Sequence, residues 1–134
     1  MDYNEKVMDH FLNPRNTGRI ENPDGVGEVG NPKCGDVMKI YINVKGNTIS
    51  EITFETFGCA AAIATSSVAT ELVEGKSIQQ AFNLRNKDII DYLGGLPVAK
   101  LHCSVLAEQG IKAAISDFYK KQGIDPEVVL FNTK

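Results

Sequence analysis

DVMKIYINVKGNTISEITFETFGC, residues 36–59, decides how the chain folds. Met38, Ile40, Ile42 and Val44 alternate with Lys39, Tyr41 and Asn43, the period of two that a half-buried strand requires. Gly46-Asn47 supplies a turn, and Ile49 to Phe57 reads as a second strand in which Ile52 and Phe54 share a face. A two-stranded hairpin is marginal alone and needs cover. Upstream, residues 13–30 are rich in Asn, Pro and Gly and read as loop, with a third short strand around Val26 to Val29. Arg15 and Arg19 in that loop read as solvated side chains in preference to a partner patch.

The flanks supply helices. Residues 2–12 place Tyr3, Val7, Met8 and Phe11 at helical spacing until Asn13-Pro14, and His10 in that helix reads as an ordinary surface or packing histidine. From Cys59 to about Glu74 the chain is apolar or small nearly all round, predicting a central, closely packed helix with Gly75 at its end. Ser77 to Gln80 fits a capping box, and Asn86 to Leu93 is a short helix stopped by Gly94-Gly95. A last helix runs from His102-Cys103 to about Lys121, with Ser104 as its expected N-cap and Ala107, Ile111, Ala114, Ile115 and Phe118 as its inward stripe. The expected fold is α+β: a small three-stranded antiparallel sheet covered by about five helices. At 134 residues and 43% apolar content this is one domain, residues 1–134, with a looser N-terminal segment and C-terminal tail.

Net charge is −3 with no basic run, which disfavours nucleic acid as a partner. No charged leader with an apolar stretch and no span long enough for a membrane is visible, so a cytoplasmic protein is expected. The chain has three cysteines, and in a reducing compartment these read as free thiols or ligands and not as a disulfide framework. Each lies at the joint of an element: Cys34 before a strand, Cys59 between strand and helix, Cys103 at the start of a helix. Gly35 and Gly58 clear space beside two of them, and Asp36 and His102 add a hard and a borderline donor. Helix N-termini at Cys59 and near Cys103 would favour thiolate over thiol. Three thiolates with Asp36 or His102 suit zinc or a [2Fe-2S] cluster. Taken singly, each cysteine is more often a small buried apolar residue; the spacing alone matches no ribbon or ferredoxin pattern. A Cys–His hydrolase is disfavoured, because adjacent His102 and Cys103 do not form such a pair and two cysteines would go unexplained.

Four segments carry a family likeness: NPRNTG at 13–18, CGDVMK at 34–39, FGCAAAIATSS at 57–67 and LPVAKLHCSVLAE at 96–108. In this order and spacing, over nearly the whole length, the chain resembles iron–sulfur cluster assembly scaffold proteins of the IscU/NifU N-terminal type. The resemblance implies the two-layer IscU/NifU-N/SufE-like fold and Cys34, Cys59 and Cys103 as cluster ligands, with His102 or Asp36 fourth. It implies no enzyme but a carrier: Cys103 (or Cys34) accepts persulfide sulfur from an IscS/NifS-like cysteine desulfurase, and Fe(II) binds. A ferredoxin-like donor then reduces the sulfur, and the [2Fe-2S] cluster passes to apo-proteins. In the family Asp36 also assists release. The family's connector reads LPPVK where this chain has Leu96-Pro97-Val98-Ala99-Lys100, which argues against a dedicated Hsp70-type chaperone. The chain lacks the further cluster domains of full-length NifU, so a stand-alone scaffold is expected. The alternative is a SufU-like, Zn(II)-bound sulfur acceptor that activates a desulfurase; those relatives usually carry an insertion before the third cysteine and lack its histidine neighbour.

Overall fold

Three antiparallel strands, β1 (Gly25–Asn31), β2 (Asp36–Lys45) and β3 (Thr48–Thr56), form one sheet in the order β1-β2-β3. The computed structural model describes residues 3–31 and 36–131, except for the side chains of Asn31, Asp36 and Phe131. The hairpin turns at Gly46-Asn47 as expected, pairing Ile40 with Phe54 and Ile42 with Ile52. The alternation does what it predicts: Met38, Ile40, Ile42, Ile52 and Phe54 are all buried on one face. Removing each such side chain from water contributes about 1.5–3 kcal/mol. Tyr41 is a departure. It lies on the other face yet is also buried, and its hydroxyl donates to Glu55, which receives Arg19 as well.

The described residues form five α-helices, α1 (Glu5–Leu12), α2 (Ala60–Val73), α3 (Ile78–Phe82), α4 (Asn86–Leu93) and α5 (Leu101–Lys121), of which α2, α3 and α5 pack on the strands and α1 and α4 pack on other helices. Helix α1 begins three residues later than the apolar spacing indicated, because the Asn4 side chain accepts from the Val7 N–H and caps it there. Helix α2 is central, with ten buried residues including Thr65, Ser66, Ser67 and Thr70. Those hydroxyls are satisfied within the helix or by neighbours, as Ser66 is by Ala62 O at 2.7 Å. The Ser77–Gln80 capping box is present, and α4 ends at Gly94 in the left-handed conformation.

The expected N-cap at Ser104 is incorrect. A 3-10 turn at Val98–Lys100 runs directly into α5, so the helix starts at Leu101 and Ser104 is already inside it. Its buried hydroxyl donates back to Leu101 O at 2.7 Å. The rest of α5 behaves as read, with Ala107, Ile111, Ala114, Ile115 and Phe118 buried. Helix α5 can lie directly on β1 because two strand positions carry no side chain. A Cβ at Gly27 would stand 2.5 Å from Ala114 N, and one at Gly25 would overlap Ala114 O. Beyond α5 the chain makes a π turn at Glu127–Phe131 that buries Leu130, so part of the segment expected to be a loose tail packs on the core. Residues 132–134 lie outside the described residues. Among the described residues no helix is long and apolar enough to cross a membrane.

Candidate metal centre

Gly58 leads out of β3 into Cys59, which stands at the N-cap of α2 in extended conformation. The run of alanines that follows propagates the helix without competing side-chain hydrogen bonds. The Cys59 thiol therefore sits where the first free N–H groups of α2 point. Burial pushes this thiol up, but the N–H groups of Ala62 and Ala61, Cys103 Sγ and the Lys100 ammonium outweigh it and hold it below its ordinary value. In return, the negative charge at Cys59 is the main cause that raises Lys100 above its own.

Cys103 lies in the first turn of α5 and is fully buried, with Ala61 and Ala62 forming a small cluster around which Tyr3, Cys59 and Leu96 pack. The two sulfurs are 3.9 Å apart. Two thiolates on one tetrahedral ion, at a metal–sulfur distance of about 2.3 Å, stand about 3.8 Å apart, so the observed pair is spaced as such an ion requires. Residues Cys59 and Cys103, 44 positions apart in sequence, are thus brought together by the packing of α2 on α5.

His102 and Cys103 are successive on a helix and so project about 100° apart. Cys103 faces inward and His102 faces solvent, yet His102 Nε2 remains 3.6 Å from Cys103 Sγ. A borderline nitrogen donor thus stands beside Cys103 Sγ. Asp36 is the first residue of β2, with its side chain outside the described set, and Cys34 lies outside the described residues altogether. The strand that begins at Asp36 starts beside the approach to Cys59: Phe57 N–H donates to Val37 O at 3.1 Å, and Thr56 Oγ1 donates to the same oxygen. Among the described residues no group of three His, Cys, Asp or Glu side chains is gathered to hold a metal.

His10 is not part of the site. It is buried, with Nδ1 2.8 Å from Ser67 Oγ and Nε2 3.5 Å from Glu71. Burial and the Arg15 guanidinium lower its pKa, against the opposing pull of Glu71 and Asp9. Arg15 and Arg19 do not form a free patch, since Arg15 pairs with Asp9 at 2.8 Å and Arg19 with Glu55 at 3.0 Å. Sequence reasoning gave no role to Tyr3, Leu96 or Lys100, the neighbours that enclose and polarise the thiols. Lys100 could have been noticed from its place just before His102-Cys103; nothing in the sequence marks Tyr3, which comes from the opposite end of the chain. Two large apolar side chains flanking the thiol-bearing segments are open to solvent, Phe57 at 79% and Val98 at 85%.

The model of the NifU-like N terminal domain matches residues 2–125. The chain belongs to that family. It is similar to the iron-sulfur cluster assembly scaffold protein IscU 1 of Archaeoglobus fulgidus, 57% identical over 121 residues that cover 90% of this chain and 79% of the relative. With IscU of Escherichia coli K12 it shares 52% identity over 126 residues, 91% of this chain and 98% of the relative. Among solved structures it resembles FiSufU of Fervidobacterium islandicum AW-1, with TM-score 0.69 and 26% identity over 84% of this chain and 96% of that one. A NifU-like N-terminal protein from Brucella abortus has the same fold, with TM-score 0.68 at 18% identity, over 88% of this chain and 94% of the other. The three-stranded sheet with its five helices is thus the fold of this family.

Proposed function

We propose that this protein is a scaffold on which a [2Fe-2S] cluster is built and from which it is handed on. It is a carrier and not an enzyme. The observation that carries this reading is the thiol pair: Cys59 and Cys103, 3.9 Å apart with His102 at their edge, in a chain more than half identical to proteins named as iron–sulfur scaffolds. Cys34 would complete the thiolates, and His102 or Asp36 the fourth position. A shell with one nitrogen or oxygen donor among three sulfurs holds its cargo less firmly than four thiolates, which suits transfer. Iron is delivered as Fe(II), and the cluster is cargo received by apo-proteins.

Sulfur arrives as a persulfide on the cysteine of a desulfurase. The Cys103 thiolate attacks the outer sulfur, the donor's S–S bond breaks, the donor thiolate leaves, and Cys103 carries the persulfide. Two electrons from a ferredoxin-like donor reduce that outer sulfur to sulfide and restore the Cys103 thiolate. The exposed Phe57 and Val98, close in sequence to Cys59 and Cys103, fit the apolar anchors that such protein partners need.

A SufU-like reading, with Zn(II) on the same residues and the chain acting as sulfur acceptor for a desulfurase, draws on the fold match to FiSufU. His102 beside Cys103 and the higher identity to the IscU proteins favour the scaffold. Mass spectrometry after incubation with a cysteine desulfurase and free cysteine tests the sulfur route. Wild type should gain a sulfane sulfur on the peptide carrying Cys103 and Cys103→Ser should not; equal uptake by Cys103→Ser would remove Cys103 as acceptor.

A further inference from the structure

Cys103 is fully buried, although an acceptor must be touched by its donor. Something over it has to move. Among the described residues, Cys103 clusters with Ala61 and Ala62, and Cys59, Tyr3 and Leu96 pack against that cluster. Ala61, Ala62 and Cys59 belong to the start of α2, the most buried helix, and cannot leave without opening the core. Tyr3 and Leu96 belong to short segments: Tyr3 precedes α1, and Leu96 follows Gly94 and Gly95, both at positive φ.

One side chain ties these two segments together. Asn4 Nδ2 donates to Leu93 O at 2.7 Å, with Gly95 O at 3.4 Å, while Asn4 Oδ1 accepts from Val7 N–H at 2.9 Å. A single amide thus caps α1 with its oxygen and grips the end of α4 with its nitrogen. Lys6 adds a second tie, Nζ to Tyr92 O at 3.3 Å, but from the exposed rim. Asn4 lies between Tyr3, which packs against the Cys103 cluster, and the glycine pair that precedes Leu96.

We infer that Asn4 is a positioning residue for the sulfur acceptor: its amide latches the Tyr3 and Leu96 segments shut over Cys103, and release of that latch exposes the thiol to a persulfide donor. The residue's two ends separate its two tasks. An aspartate retains the oxygen that caps α1, and its charge is favourable at a helix N-terminus, but it has no N–H for Leu93 O or Gly95 O and is repelled by both. Asn4→Asp should therefore open the latch while leaving α1 formed. The inference rests on the scaffold reading only for why the exposure matters; the exposure itself is measured without any cluster.

The test is peptide-resolved alkylation of Cys59 and Cys103 by iodoacetamide in the full-length, chelator-treated protein, with amide exchange of Ile40 and Ile42 followed in parallel. In Asn4→Asp the Cys103 rate should rise about tenfold, equivalent to about 1.4 kcal/mol, while the Cys59 rate and strand exchange stay within about twofold, as expected for the net loss of one or two hydrogen bonds at a local opening. Leu96→Ala, which uncovers the thiol without touching α1, should give the same selective rise. An unchanged Cys103 rate in both variants would overturn the inference. So would a rise that only follows strand exchange, since that is global unfolding. Failure of cluster assembly with the alkylation result intact would count against the scaffold reading and not against the latch.

Discussion

The contact between α5 and β1 makes a sharp steric prediction. A methyl group added at Gly27 would overlap Gly110 O and stand 2.5 Å from Ala114 N and 2.9 Å from Ala113 Cβ. Two of these neighbours are backbone atoms of a 21-residue helix, so relief requires α5 to lift from the sheet. Overpacking of this kind costs about 1–3 kcal/mol, and a backbone obstacle belongs at the upper end. Gly27 is not at positive φ, so alanine recovers about 0.4–1 kcal/mol through a less flexible unfolded chain. The net loss for Gly27→Ala is about 2–2.6 kcal/mol, which at about 4 °C per kcal/mol lowers the melting midpoint by about 8–10 °C. Gly110→Ala is the internal control. Its Cβ meets a side chain, Ile40 Cγ1 at 2.9 Å, and the substitution gains about 1 kcal/mol of helix propensity, so its net cost should be below about 1 kcal/mol. Thermal and urea unfolding of both variants decide the matter. A neutral Gly27→Ala, or a Gly110→Ala more damaging than Gly27→Ala, would refute the close-approach account of how α5 is seated.

His10 should make the fold acid-sensitive. Its folded pKa lies below the unfolded value of about 6.5, so stability is constant above that pH and falls as pH drops through it toward the folded pKa. Comparing melting midpoints of wild type and His10→Gln between neutral and mildly acid pH checks this: the wild-type slope should be the steeper, and parallel slopes would contradict it. Ser77→Ala removes one half of the capping box and should cost about 1 kcal/mol in urea unfolding, with no effect on thiol reactivity. The proposed function gives Asp36 the task of assisting release, so Asp36→Ala should slow transfer of an assembled cluster to an apo-ferredoxin; transfer at the wild-type rate would assign that task elsewhere.

Much of the fold is legible in the sequence because local and tertiary demands agree there. The strict alternation from Met38 to Val44, the Gly46-Asn47 turn and the Ser77–Gln80 box each admit one reading, and the structure adopts it. Ser104 misled because a serine before an apolar run looks like a cap, whereas the preceding 3-10 turn had already begun the helix and made that serine an interior residue. Tyr41 escaped for a different reason. Its burial on the outer face of the sheet, with its hydroxyl on Glu55, is not recorded by a period of two. Of the residues singled out in the sequence, Cys59 and Cys103 lie 3.9 Å apart and His102 Nε2 lies 3.6 Å from Cys103 Sγ, while Cys34 and the Asp36 side chain lie outside the described residues. The cluster around the fully buried Cys103 was not legible, since it gathers Ala61 and Ala62 of α2 with Tyr3 and Leu96 from segments far apart in sequence.

Cluster assembly under anaerobic conditions tests the central claim most directly. The metal-free protein is supplied with a cysteine desulfurase, cysteine, Fe(II) and a reductant, then desalted and analysed for iron, acid-labile sulfide and zinc alongside its visible absorption. Iron and sulfide bound in equal amounts, with charge-transfer absorption that is lost in Cys34→Ser, Cys59→Ser and Cys103→Ser, is the predicted result. Retained zinc with no bound sulfide under the same conditions would contradict it.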